Sequence, residues 1–443
     1  KRGCFFRNAR ARNNHVEATL NHPFAAQVND ALRDADYDSG AASYDAALAG
    51  LEWTLSSGPR GVALTFGGFD DKLGAFATQT AKALRNLDAV DYASRDGGAP
   101  LQRVVDAVDR EIARDAVAPP SARSVSELGL LTETPKFDVP ALKRALDAVS
   151  LKGLRSWLDD KGGVWGSGGD VEVLAQGNLR KSDAAKLSGE LRDVLRLSKT
   201  DASTDAPLGV LEVPARDTGV LVKRTKAPQA DESNYAALLS FQTGTGPDAR
   251  ARTLALNAVL EAPFYDELRT KKQLGYVVQS AARARENCSS LVFLAQSNKD
   301  DAESRAPDDL YGYMKSFLAT SAPKALAALD AAKLGSVADG LARQLEETPK
   351  TLAADVGPHW EEIVAGTADW GKRRALAKAL RALTPDDVRT FFDTRIAAGA
   401  ERRPLLVLVD KGAPKAPAAP SLGADDGDVP AGYAASRPLY NKT

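Results

Sequence analysis

The sequence predicts an α+β protein of the α/β-roll type: two homologous domains, each an antiparallel-rich sheet packed with helices, related by internal duplication. Three observations predict it. A helix, hairpin, helix pattern opens the chain, switching between the helical period and the two-residue period of strands. Ser150, Leu154, Arg155, Ser156, Trp157, Leu158 and Asp159 recur in residue type as Thr384, Val388, Arg389, Thr390, Phe391, Phe392 and Asp393, at a constant offset of 234 positions. The triplet Ala49, Gly50, Leu51 is echoed by Leu274, Gly275, Tyr276 at a shift near 225. Self-similarity over that range records duplicated folding units, here of about 200 residues each.

The stretch from about Ala25 to Ala49 is rich in Ala, Leu and Asp, a helical composition, and Gly50 stands where a left-handed C-terminal cap belongs. Leu51 to Ser56 and Val62 to Phe66 read as the two strands of a hairpin across Gly58 and Pro59, because Val62, Leu64 and Phe66 alternate with smaller or polar neighbours. Asp70 and Asp71 suit a helix N-terminus, and Leu73, Phe76, Ala77, Leu84 and Leu87 then share one helical face. Pro140 opens a further helix, and Leu151 to Leu158 continues helical. A glycine-rich break from Gly162 to Gly169 leads into the strand Val171 to Ala175, and Ser182 caps a helix reaching about Leu197. Ser198 to Pro207 has no apolar period and places the domain boundary near residue 205. Carried forward, the offset lays Val171 to Leu174 on Leu405 to Leu408. The domains expected are 1–205 and 206–411, with a low-complexity tail over 412–443 that cannot order itself independently.

With 443 residues, 44% hydrophobic and 26% charged, the chain can bury large cores. Its 58 basic and 59 acidic side chains leave a net charge of -1, which carries no footprint for nucleic acid or an anionic membrane surface. No run of about 18 apolar residues occurs and the N-terminus has no apolar signal region, so neither a membrane span nor export is expected. The two cysteines, Cys4 and Cys288, are too few for a disulfide framework, which points to a reducing, cytoplasmic compartment. The chain begins at Lys1 and its only methionine is Met314, so a segment upstream of Lys1 is expected.

Catalytic motifs are absent. Zinc hydrolases carry paired ligands one helical turn apart, as in H-x-x-E-H or H-E-x-x-H, and this chain has neither. Its histidines are His15, His22 and His359; the string His359, Trp360, Glu361, Glu362 lacks a second imidazole and reads as an amphipathic helix after Gly357 and Pro358. There is no nucleophile elbow, Cys288 has no activating neighbour, and the glycines between Gly162 and Gly169 lack the Lys and Ser or Thr of a phosphate loop. No catalytic and no metal-ligating residue is therefore assigned.

The informative segment runs from Phe264 to Ser280. A helix with Leu268 on its buried side ends near Gly275, and a strand leaves from Tyr276 to Ala282. Arg269 and Tyr276 stand at that corner. Two readings follow: a guanidinium and a phenol pointing out together toward a ligand carbonyl, or Arg269 paired with a neighbouring acid and Tyr276 packed beneath the loop.

Leu268 to Tyr276 resembles the L-R-T-K-E-Q-L-G-Y signature of the insulysin, nardilysin and pitrilysin family of zinc metallopeptidases, with Lys272 in place of the usual acid. The similarity extends to Phe293-Leu294-Ala295-Gln296-Ser297. Upstream, His22-Pro23-Phe24, Tyr44 with Ala46 to Leu51, Gly68 to Lys72 and Ala175-Gln176-Gly177-Asn178 resemble the family's third domain. The resemblance covers most of residues 20–410 and implies the third and fourth of four homologous domains that enclose a chamber. It also implies that zinc is bound by a missing N-terminal half, a partner in cis or in trans. Arg269 and Tyr276 then contact the peptide substrate, and the chain alone is inactive. The alternative within the family is a non-catalytic peptide-binding or assembly subunit.

Overall fold

The structure, a computed structural model, describes residues 2–9, 22–32, 42–58, 61–159, 170–197, 209–301, 304–412, 426–430 and 433–434. In chain order the first elements are β1 (Arg2–Ala9), α1 (residues 22–32), α2 (Ala42–Leu48), β2 (Glu52–Gly58), β3 (Gly61–Gly68), α3 (Asp70–Asn86) and α4 (Ala89–Ala116). Next come α5 (Pro120–Thr132), β4 (Glu133–Thr134), α6 (Val139–Asp147), α7 (Leu151–Leu158), β5 (Asp170–Gly177), α8 (Lys181–Leu195), β6 (Gly209–Val210), β7 (Leu221–Lys226) and β8 (Tyr235–Thr245). The chain continues through α9 (Gly246–Tyr265), a π-helical turn (Asp266–Lys271), β9 (Val277–Arg285), β10 (Cys288–Ser297), α10 (Pro307–Ala327) and α11 (Ala331–Glu346). It closes with α12 (Leu352–Ala365), α13 (Lys372–Arg381), α14 (Pro385–Phe392), a second π turn (Asp393–Ala397), β11 (Pro404–Asp410) and β12 (Gly427–Asp428).

These elements form two compact units. Unit 1 comprises residues 1–114, 137–208 and 348–369; unit 2 comprises 115–136, 209–347 and 370–443. Each unit thus includes a helix drawn from the opposite half of the sequence: α5 lies in unit 2 and α12 in unit 1.

Unit 1 is built on a four-stranded antiparallel sheet ordered β2-β3-β1-β5. Leu55, Leu64 and Phe66 project from it at the two-residue period onto Val28 and Leu32 of α1, Leu73, Ala77 and Leu84 of α3, and Leu191 and Leu195 of α8. The expected long helix is resolved as α1 and α2, with residues 33–41 outside the described part. Gly50 takes φ 70°, the left-handed cap read from the sequence. Val104, Val108 and Ile112 of α4 recur every four residues and pack against Leu146 of α6. On α8 the N-cap is Arg180, not Ser182: Asp183 turns back to accept from the Arg180 backbone N–H at 3.1 Å, and Ser182 falls inside the first turn. The glycine-rich break and the boundary segment lie outside the described residues.

Unit 2 is built on a six-stranded sheet ordered β12-β7-β11-β8-β10-β9. Its central strand β8 is buried along nearly its whole length because both faces are covered. Tyr235, Ala237, Leu239 and Phe241 enter the core beneath α9, α10 and α14, where Phe264, Phe293 and Phe317 meet with centroids 5.0 to 6.2 Å apart. Ala236 and Leu238 face the opposite way, toward Leu128 and Leu131 of α5. Part of the tail is seated here: β12 adds to β7, and Tyr433 is buried in that second core.

The two sheets share one topology. In each, a strand leads through helix to a hairpin that pairs beside it, and a later strand pairs on its other side: β1, β2–β3 and β5 in unit 1; β8, β9–β10 and β11 in unit 2. The sequence offset lands α7 on α14 and β5 on β11. Ser150 and Thr384 are both N-caps, accepting from the N–H groups of Gly153 and Asp387. The shorter shift lands the start of β2 on the start of β9.

Candidate functional site

The signature corner lies where α9 runs into β9. A regular α-helix would carry residues 266–271 on with the i→i−4 ladder, but here the backbone widens into a π turn, with Lys272 N–H donating to Glu267 O at 3.1 Å. The wider turn brings Asp266 opposite Lys271, and the two form an ion pair at 2.7 Å. Leu268 and Leu274 are fully buried on either side of the bend, joined by Leu274 N–H donating to Leu268 O at 3.1 Å. Burial of these two leucines anchors the bend in the core and leaves their neighbours outside.

Gln273 takes φ 52° and Gly275 φ 157°. A Cβ at Gly275 would stand 2.1 Å from Gln296 O, so only glycine lets the corner lie this close to the end of β10. Gln296 is tied in turn by its side-chain oxygen, which accepts from Ser121 N–H at the start of α5 at 2.8 Å. From the other side Lys299 Nζ donates to Lys272 O at 3.1 Å, binding the carbonyl of the residue that caps the π turn.

On this scaffold Arg269 and Tyr276 come together. The Arg269 guanidinium carbon sits 4.9 Å from the Tyr276 ring centroid, and the Tyr276 side chain is 93% exposed. Lys272 lies over the Tyr313 ring at 5.3 Å, extending the alternation of cation and aromatic ring. A guanidinium held over a ring face by a cation–π contact keeps its N–H groups available, so the pair presents several donors to solvent. Gln296 belonged to the quoted resemblance, but the ties through Lys299 and Ser121 join positions distant in sequence and carry no local signal.

Other chemistry read from the sequence takes ordinary places. Cys288 is buried, and burial pushes its thiol up to about 12, so it is no nucleophile. His22 lies 3.3 Å from Glu111. Among the described residues no group of three or more His, Cys, Asp or Glu side chains could hold a metal ion, so these residues do not fit a zinc site. None of the described helices is long and apolar enough to cross a membrane. An open cleft of about 750 Å³ in unit 2 lies away from the corner, between Thr243–Ala249 and Asp386–Thr394. Two of its three arginines are paired, Arg403 with Glu212 and Arg395 with Glu401, each at 2.6 Å, and it reads as a solvated polar groove.

Comparison with known proteins bears on both units. Residues 4–142 match the middle or third domain of peptidase M16, and residues 255–360 match the C-terminal lobe domain 4 of PQQ synthase PqqF-like proteins. The chain belongs to the insulysin–pitrilysin family of zinc metallopeptidases. Human insulin-degrading enzyme is 24% identical over 365 residues, covering 82% of this chain and 34% of that protein. A putative zinc protease of Schizosaccharomyces pombe, mug138, is 25% identical over 363 residues, covering 81% and 35%. The crystal structure of pitrilysin superposes with a TM-score of 0.81 at 16% identity, covering all of this chain and 44% of that one. The family's third and fourth domains are the parts matched, and the chain spans about a third of the length of these curated relatives.

Proposed function

We propose that this chain is the C-terminal half of a zinc metalloendopeptidase, that it forms part of the substrate chamber, and that Arg269 and Tyr276 hold the peptide at its scissile region. The observation that carries the reading is the corner itself: an exposed phenol with a guanidinium over its ring, on a bend anchored by two fully buried leucines and a glycine that admits no side chain. Such a pair costs little reorganisation when a ligand arrives, because the backbone beneath is already set.

The chemistry open to this chain is donation. Arg269 has N–H groups and Tyr276 an O–H, and both suit a peptide carbonyl oxygen whose negative charge grows during hydrolysis. Donors aimed at that oxygen orient the scissile bond and stabilise the oxyanion, while the described residues supply no zinc ligands. The zinc-bearing part is assigned to an N-terminal half acting in cis or in trans, and this chain alone is expected not to cleave peptides.

The test is Arg269→Ala in an enzyme reconstituted from both halves. Turnover should fall by about a hundredfold or more, the scale seen when one oxyanion donor is removed, with zinc content unchanged by metal analysis. Unchanged turnover in that variant would remove Arg269 from the site.

A further inference from the structure

Every open sheet has two edges, and a strand at an edge presents unpaired N–H and C=O groups that natural proteins blunt with bulges, prolines, charges or covering groups. The duplication in this chain allows the same edge to be compared twice. In unit 1 it is β2, in unit 2 β9.

The edge of β2 is stoppered. Asn29 of α1 donates from Nδ2 to Leu55 O at 2.6 Å and accepts at Oδ1 from Leu55 N–H at 3.3 Å. In an antiparallel pair both polar groups of one residue point to the same side, so Leu55 turns them away from its partner Leu64 on β3. The Asn29 carboxamide occupies the place of a neighbouring strand's peptide group. A further bond from Nδ2 to Ala25 O at 3.0 Å holds it on its own helix.

Asn257 stands at the corresponding place on α9: Val28, Asn29 and Leu32 recur as Leu256, Asn257 and Leu260, with the apolar members buried in both units. The shift that pairs Gly50 with Gly275 pairs Leu55 with Ser280. Here the stopper is disengaged. Asn257 Oδ1 is buried without a partner, as is Ser280 Oγ. Three of the usual guards are also missing. β9 pairs with β10 without a register shift, contains no proline, and carries no charge before Arg283. Val278 enters the main core and Val277 packs on the second one, so the strand is held from both faces. It begins at the residue after Tyr276.

We infer that the open edge of β9 takes an extended segment of substrate peptide as an added strand, running on from the Arg269–Tyr276 corner. The inference rests on the proposed peptide-binding role of that corner and adds to it a main-chain recognition surface. By analogy with Leu55, the pairing groups are those of Ser280 and, at the two-residue period, Val278 and Ala282. Recognition through the backbone is tolerant of sequence, while the donors at the corner set the register. Asn29 keeps the equivalent edge of unit 1 closed to the same ligand.

The test uses the full chain and two fluorescein-labelled short peptides of one unstructured sequence, the second with alternate backbone nitrogens methylated so that it cannot pair. Fluorescence anisotropy should show the unmethylated peptide binding about tenfold or more tightly than the methylated one. Ser280→Pro should abolish that difference with melting temperature little changed, because a proline whose nitrogen faces the edge removes no ladder bond. Equal binding of the two peptides to the wild-type chain would overturn strand addition, however Ser280→Pro folds. If binding is equal yet Tyr276→Ala weakens both, the corner stands and the edge proposal fails; if the wild-type chain binds neither peptide, both fail.

Discussion

Leu268 and Leu274 are fully buried while Tyr276 is almost fully exposed, and this contrast over a few residues anchors the corner in the core and leaves its ring outside. The sequence left two readings of Arg269, one pairing it with a nearby acid. The π turn removes the pairing with Asp266. In an α-helix Asp266 would face residues three and four positions on, Arg269 among them, whereas the π turn carries Lys271 opposite instead. Arg269 is released to stack on Tyr276. A helical pattern read from residue types cannot reveal one extra residue in a turn, since the apolar spacing is nearly the same. Gly275 was legible as a cap-like glycine, but its contact with Gln296 O joins residues on separate elements. Gly275→Ala should therefore destabilise the chain by about 1–3 kcal/mol or more, read from urea unfolding, because it meets both a strained φ and backbone in its path. Peptide binding should fall with it; a variant as stable as wild type would show that the corner can relax.

At the scale of elements, the clearest signal in the sequence was the repeat of a capped helix followed by a strand, and the structure explains why it was visible. Ser150 and Thr384 each accept from the N–H three residues on, and a cap constrains residue type at a fixed place. Ser150→Ala and Thr384→Ala should each cost about 1 kcal/mol by chemical unfolding, acting on α7 and α14 respectively. No loss from either would mean that tertiary packing alone sets those helix starts. The Arg180 cap escaped the same reasoning because arginine is not a capping type; Asp183 closes that turn by reaching back. The third echo, Asn29 with Asn257, was also present in the sequence. It gained meaning only once one carboxamide was found on a strand edge and the other was not.

At the scale of the molecule, α5 and α12 are exchanged between the two sequence halves. α5 buries Leu128 and Leu131 on the second face of the unit 2 sheet, and α12 belongs to unit 1, with Asp355 bonded to Gln176 of β5. Cutting the chain at residue 205 removes from each sheet a helix that the other fragment carries. Neither fragment should then show a cooperative melt alone, and co-expression should restore binding between them, as read by size-exclusion chromatography. Two fragments that melt cooperatively in isolation would show the exchanged helices to be dispensable. The sequence by itself determined the class of fold, the duplication, the family resemblance and the corner residues, because each is written in local periodicity, caps or a contiguous motif. Tertiary structure alone decided which way Arg269 turns, which sheet α5 and α12 cover, and which of two equivalent edges is left open. These depend on contacts between residues far apart in the chain, where burial of the leucines and satisfaction of backbone groups select one arrangement among several that the local sequence permits.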